Sequence, residues 1–209
     1  MKKLVTTYAL SAISYTYNYQ TTVTKLIIRE ANDAELTDVL HIVREAFKPT
    51  SPNGVVAEEA YVKALFADPT AKPLLSLLAF VDDKPVAHLL FTCAHLTPNP
   101  SNLQISFLSA LAVLPDYQNQ GIGTQLLKNG LEQLTKTGNH LVFVLGHPNY
   151  YPKLGFIPAT KQGFQTPYPI PEPNQPAWMV KELQNQTINT NKGKITFCNE
   201  LNKPQYWQQ

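Results

Sequence analysis

The stretch Leu108-Ser-Ala-Leu-Ala-Val-Leu-Pro-Asp-Tyr-Gln-Asn-Gln-Gly-Ile-Gly-Thr-Gln-Leu-Leu127 decides how this chain folds. It is apolar up to Leu114, as a buried strand would be, and Pro115-Asp116 ends that run. From Ile122 onward, Leu126, Leu127, Leu131 and Leu134 recur at helical spacing. A strand therefore feeds a polar, glycine-bearing turn that opens a helix. The first N–H groups of a helix have no partner within it, and the macrodipole adds partial positive charge there. Gly121 and Gly123 let backbone approach a ligand closely, so successive N–H groups from Gln118 through Asn119, Gln120, Gly121, Ile122 and Gly123 to Thr124 can form a nest that fits a pyrophosphate. An ordinary strand-to-helix turn would look the same. A Walker loop is excluded because no Lys follows the second glycine, and a dinucleotide fingerprint because position 126 is Leu.

Working outward, the helix from Ile122 to Thr137 stops at Gly138, and Leu141 to Leu145 returns as a strand. Such a strand–helix–strand unit is expected to be parallel and right-handed. On the amino-terminal side, Gln104 to Leu114 follows two strand-like runs, Leu74 to Val81 and Pro85 to Leu96, joined at Asp82-Asp83-Lys84 by a hairpin turn. This gives an antiparallel meander. Lys25 to Arg29 reads as the first strand. Asn32-Asp-Ala-Glu35 resembles a capping box for a helix with Leu36, Val39, Leu40, Val43 and Phe47 on one face. Pro49 to Gly54 interrupts, and Val56 to Phe66 is a second helix with Tyr61 and Leu65 at helical spacing.

Beyond the central unit, Thr160 to Gln175 is Pro-rich and is expected to be an extended surface loop, either a plain connector or a lid. Ala177 to Leu183 is a strand, Thr187 to Lys192 a turn, and Lys194 to Cys198 a closing strand. Asn202 to Gln209 reads as a loose tail. The domain is expected to span residues 25–198, with 1–24 a poorly ordered extension and 199–209 a carboxyl-terminal tail. Met1-Lys-Lys and the diluted apolar run after it have the outline of a secretion signal, but Thr, Ser and Tyr interrupt it.

The 209 residues are 44% hydrophobic, enough for one sizeable core. With 17 basic and 15 acidic side chains the net charge is only +2, so no basic stripe argues for a nucleic-acid partner. No stretch has transmembrane length, so no membrane partner is expected. Cys93 and Cys198, far apart in apolar runs, form neither a disulfide framework nor a zinc spacing, which points to a reducing, cytoplasmic setting without metal.

Gln118-Asn-Gln-Gly-Ile-Gly123 resembles the Arg/Gln-x-x-Gly-x-Gly/Ala signature of the GNAT superfamily of N-acetyltransferases, and Leu-Ala-Val-Leu-Pro before it fits the same pattern. Val144-Leu-Gly-His-Pro-Asn-Tyr-Tyr-Pro-Lys-Leu-Gly-Phe-Ile-Pro158 resembles the family's following motif, ending in Tyr-x-x-x-Gly-Phe. The wording is most similar to the YhbS-like branch, which also closes on a strand such as Gly193-Lys-Ile-Thr-Phe197. The resemblance covers roughly Leu26 to Phe197. It implies an α/β (α+β) fold: a mixed, largely antiparallel central sheet flanked by helices, with a parallel, splayed strand pair at an acetyl-CoA site. It also implies transfer of an acetyl group from acetyl-CoA to an amine by direct attack in a ternary complex. In the family the pantetheine pairs with the strand edge, here Leu111, Ala112 and Val113.

Roles for side chains follow from the same resemblance. Tyr151 holds the position that commonly lies near the CoA sulfur and can protonate it, with Tyr150 as runner-up. Asn149 stands near an Asn that bonds the pantetheine arm in some relatives, at a shorter spacing. His147 follows just past the strand end, where it either touches ligand or faces solvent. Many relatives place a Glu on the strand before the pyrophosphate loop, yet no Asp or Glu lies between Asp83 and Asp116. Ser109 stands about there, so a water relay through Ser109 takes the proton, or His88 or His95 does, or the amine arrives neutral. A CoA-sensing module without turnover and a pure interaction scaffold are the competing readings. The acceptor is a small-molecule amine or a protein amino terminus, and a homodimer formed through a sheet edge is in keeping with such a fold.

Overall fold

In the computed structural model, which describes residues 25–48 and 55–207, one nine-stranded sheet organises the chain. In chain order its elements are β1 (Leu26–Glu30), α1 (Leu36–Phe47), α2 (Val55–Ala67), β2 (Leu75–Val81), β3 (Lys84–Thr97), β4 (Ile105–Val113) and α3 (Ile122–Lys136). There follow β5 (Leu141–Leu145), β6 (Ile157–Pro158), β7 (Phe164–Gln165), β8 (Trp178–Glu182), α4 (Thr187–Thr190) and β9 (Gly193–Phe197). The spatial order is β1-β2-β3-β4-β5-β8-β6, with β9 on the far end of β3 and β7 on β9. The long β3 pairs with β4 over Ala87 to Ala94 and with β9 over Ala94 to Thr97.

The sheet is antiparallel except where β4 meets β5 and where β7 meets β9. The first parallel pair is the expected one, with α3 as its crossover. The second was hidden inside the Pro-rich segment, where Phe164 is fully buried against β9 rather than lying in a surface loop. The turn expected at Thr187 to Lys192 instead contains α4, whose Ile188 N–H donates to Glu182 Oε1 at 2.9 Å.

Local chemistry explains how the helices begin. Asn32 Oδ1 accepts from Ala34 N–H at 3.0 Å, and Glu35 Oε2 accepts from Asn32 N–H at 2.9 Å. This is the expected capping box, although it closes a single 3-10 turn before α1. Val39, Ile42 and Val43 then bury one face of α1, and Val62 and Leu65 one face of α2. On α3, Leu126, Leu127, Leu131 and Leu134 pack onto the sheet as their spacing predicts.

The carboxyl-terminal segment is not a loose tail. Leu201 and Trp207 are buried, and Trp207 joins an aromatic cluster with Phe107, Trp178 and Phe197. The Trp207 indole N–H donates to Leu201 C=O at 2.8 Å, so its polar handle is satisfied. Residues 1–24, read from sequence as an extension, lie outside the described residues.

Because truncating a buried aromatic leaves a cavity, Trp207→Ala should lower the unfolding free energy by about 3–5 kcal/mol. Urea titration followed by circular dichroism measures this. An unchanged midpoint would show that the segment contributes nothing to the core.

Candidate functional site

β4 and β5 pair from Ile105 opposite Leu141 to Leu108 opposite Val144, and no further. β4 runs on to Val113 without β5 beside it. The register against β3 also breaks there: Leu90 faces Ala110 and Phe91 faces Leu108, which leaves Ser109 as a bulge residue. A bulge bends its strand and adds twist, and here it sits where the two strands part. The gap opens into a cavity of about 940 Å³.

One end of the cavity is the turn before α3. Asn119 at φ 59° and Gly121 at φ 81° both adopt the left-handed conformation, which glycine takes without strain. The first i→i−4 bond of α3 is from Gln125 N–H to Gly121 C=O at 3.0 Å, leaving the N–H groups of Ile122, Gly123 and Thr124 without an acceptor inside the helix. Gln118, Asn119 and Gly121 line the same end. The Gln118 side-chain amide donates to Val113 C=O at 2.9 Å, and that of Gln120 to Asp116 C=O at 2.9 Å. Both side chains brace the turn, so it is backbone that is presented to a ligand.

Leu111, Val113 and Ser109 line the wall along β4. Three of the expected ligand residues do not line the cavity. Ala112 turns its side chain into the core, Gln120 points outward, and Asn149 is exposed, with its N–H on His147 Nδ1 at 3.3 Å.

Tyr151 and Tyr150 both line the cavity but face different parts of it. The Tyr150 hydroxyl lies 3.3 Å from Thr124 Oγ1, at the start of α3. The Tyr151 ring meets Tyr150 and Phe156 edge-on, with centroids 5.0 and 5.5 Å away, and covers Gly146 so closely that a Cβ there would collide with it. Burial raises the Tyr151 hydroxyl well above the usual phenol range, and the neighbouring Tyr150 adds to this. The group stays protonated at neutral pH, as a proton donor must.

The histidine bases considered from sequence are not in the cavity. His88 is fully buried, with Nε2 3.0 Å from Ser76 Oγ, and burial pushes its pKa down to about 3. His95 is exposed on β3, and its Nε2 lies 3.9 Å from Cys93 Sγ. Ser109 does face the cavity. Its Oγ is 2.9 Å from Thr92 Oγ1 and 3.4 Å from Phe107 C=O, and Tyr61 lies close by.

The end away from the turn was less legible. Glu58, Tyr61 and Phe47 from the helices meet Tyr206 from the carboxyl-terminal segment. The Tyr61 and Tyr206 rings stand 5.0 Å apart, and the Tyr206 hydroxyl donates to Glu200 Oε1 at 2.6 Å. In the sequence Tyr61 stood out only through its helical spacing with Leu65, on a helix that the family resemblance puts on the acceptor side, and nothing marked Glu58. Among the described residues, no group of three or more His, Cys, Asp or Glu could hold a metal ion, and no helix is long and apolar enough to cross a membrane.

A mixed sheet parted at one parallel pair, with a helix amino terminus at its mouth, defines a class of fold, and the comparisons identify it. The chain belongs to the GNAT acetyltransferase family, whose domain model matches residues 27–159. It is 39% identical over 162 residues to the uncharacterized N-acetyltransferase YjhQ of Escherichia coli K12, covering 77% of this chain and 85% of that protein. It is 29% identical over 102 residues to the uncharacterized N-acetyltransferase YhbS of the same strain, covering 49% of this chain and 59% of YhbS. Among solved structures, YhbS from Escherichia coli in complex with CoA superimposes with a TM-score of 0.75 at 24% identity, over 86% of this chain and 93% of that one. A GNAT family acetyltransferase from Brucella melitensis in complex with acetyl-CoA gives 0.66 at 21% identity, over 85% and 98%. The mixed, largely antiparallel architecture agrees with these neighbours.

His88 has a measurable signature. It is neutral in the fold down to about pH 3, whereas an unfolded histidine binds a proton near pH 6.5. Below that value the unfolded state holds the extra proton, so stability is fully present above it and falls as pH drops, by up to about 1.4 kcal/mol per pH unit. Denaturant midpoints of wild type and His88→Gln between pH 7 and 5 test this, and the variant should lack that part of the slope.

Proposed function

We propose that the protein transfers an acetyl group from acetyl-CoA to a primary amine, on a small molecule or a protein amino terminus, by direct attack while both are bound. The observation that carries this reading is the edge of β4 beyond Leu108, which runs without β5 beside it from the amide-rich turn to the neighbourhood of Tyr151. A backbone edge in a cavity asks for hydrogen-bonding partners from a ligand. A pantetheine arm carries amides in an extended chain, and its diphosphate suits the amino terminus of α3. The complexes of YhbS with CoA and of the Brucella melitensis protein with acetyl-CoA support the same co-substrate here.

Bound acetyl-CoA supplies an activated acyl group. The residues of this chain then do three things. The N–H groups of Ile122, Gly123 and Thr124 hold the diphosphate, with backbone from Gln118, Asn119, Gln120 and Gly121 shaping the nest. The β4 edge at Leu111, Ala112 and Val113 fixes the arm. Tyr151, kept protonated by burial, gives its proton to the departing thiolate. Ser109 orders a water or the amine rather than acting as a base, since its hydroxyl is already engaged by Thr92 Oγ1 and Phe107 C=O.

Tyr151→Phe should lower kcat about 100-fold or more while leaving the dissociation constant for acetyl-CoA within about twofold. Free-thiol release with an amine panel and calorimetry with CoA measure the two quantities, and an unchanged kcat would remove Tyr151 from the chemistry. Gly123→Val should weaken CoA binding at least about tenfold, since a Cβ there would stand 3.2 Å from Val113 Cγ2 and 3.7 Å from the Tyr150 hydroxyl. Stabilisation by CoA without thiol release from any amine would leave a sensing module on the same fold.

A further inference from the structure

The cavity is electrically lopsided. Its turn end offers backbone N–H groups, while its opposite end carries Glu58, the only carboxylate among the described lining residues, which include no Lys or Arg. None of the ion pairs among the described residues involves Glu58. Its surroundings are aromatic: Phe47, the Tyr61–Tyr206 pair and the edge of Trp207. A partly desolvated carboxylate with no cation beside it is costly to leave so, and burial does push the Glu58 carboxyl above its ordinary range. Both Tyr61 and Tyr206 lie close enough to feel its charge.

The distance between the two ends is set by β4. Val113 touches the Gly123 turn, while Ser109 lies near Tyr61 on the same cavity wall, and four residues of strand span about 13 Å. Glu58 is therefore out of reach of the diphosphate site and faces what approaches from the other side.

We infer that Glu58 receives the ammonium group of the acceptor and takes its proton, and that the acceptor is a primary amine with an aromatic or apolar body and no carboxylate beside the nitrogen. This rests on the acetyltransferase reading and supplies the base that β4 lacks. Tyrosine faces attract a cation, which reinforces the carboxylate. A carboxylate next to the amine would meet Glu58 with no Arg or Lys among the described lining residues to offset it. The far cation of a polyamine would find no second carboxylate, since Glu58 is the only one among the described lining residues.

The proton balance follows. Glu58 removes one proton from the ammonium and later releases it to solvent. The freed lone pair attacks the thioester carbon, so a C–N bond forms and the C–S bond breaks. The thiolate takes the Tyr151 proton, and the second proton leaving nitrogen restores the Tyr151 hydroxyl through water. The sum is amide, thiol and one released proton.

The test uses the full chain with acetyl-CoA and three probes: 2-phenylethylamine, L-phenylalanine and spermidine. Thiol release should favour 2-phenylethylamine over each of the others by at least about tenfold in kcat/KM. E58Q should lower that value about 100-fold or more, E58D should recover part of it, and Glu59→Gln, whose side chain pairs with Arg44 at 3.5 Å, should leave it unchanged. Calorimetry with CoA should give the same heat for wild type and all variants. Wild-type turnover in E58Q, equal use of L-phenylalanine, or CoA binding without turnover of 2-phenylethylamine would each overturn the inference and leave the transferase reading standing. Absence of CoA binding by the wild type would overturn both.

Discussion

The structure depends on a strand pairing that stops. Four residue pairs join β4 to β5, and then the two part at Leu108 and Val144. Backbone N–H and C=O groups do not remain without partners in a protein interior, so a strand edge inside a cavity must be matched by something that is not protein. The surrounding features maintain the parting. The bulge at Ser109 turns β4, Gly146 lets the Tyr151 ring close over the end of β5, and the Gln118 side chain ties the turn to Val113. The hydrophobic sheet behind them, with Phe107 and Phe143 packed among the tryptophans, keeps the opening from collapsing.

How much of this could be read from residues alone depended on range. The turn from Gln118 to Thr124 and helix α3 were legible because their information is local: apolar spacing, a Pro-Asp break and paired glycines. The hairpin at Asp82-Asp83 and the capping box at Asn32 were legible for the same reason. The parting of β4 from β5 was not a property of either strand's sequence and came only from family resemblance. Phe164 looked like part of a Pro-rich loop because a two-residue strand leaves no periodicity, and Trp207 looked like a tail because the cluster it joins is built from residues far away in sequence. Asn149, read from a shorter spacing to Tyr151 than is usual in the family, is exposed and does not line the cavity. His88 looked available because sequence does not reveal that its strand position is covered on both faces.

The same distinction governs the chemistry. The search for a base in the sequence looked along β3 and β4, since a strand position is easy to count. The cavity, however, is walled by three separate parts of the chain at the end away from the turn: α1 with Phe47, α2 with Glu58 and Tyr61, and the final segment with Tyr206 and Trp207. A carboxylate placed by helix packing cannot be found by counting residues along a strand.

In the proposed reading, acceptor recognition and fold stability are coupled through the last residues of the chain. Trp207 is core on one side and cavity wall on another, while Tyr206 is held by Glu200, which in turn pairs with Lys203 at 2.6 Å. Glu200 also anchors its own N–H on Asp68 Oδ2 at 2.8 Å, just beyond the end of α2. The segment that shapes the acceptor end is thus pinned to the same helix that presents Glu58. A change that loosened this segment would separate the aromatic wall from the carboxylate without touching the diphosphate turn, so the two ends of one cavity can vary independently. That independence gives a family with a fixed acetyl donor a physical route to differing acceptors: the donor end is built from backbone geometry, the acceptor end from side chains on elements that only tertiary packing brings together.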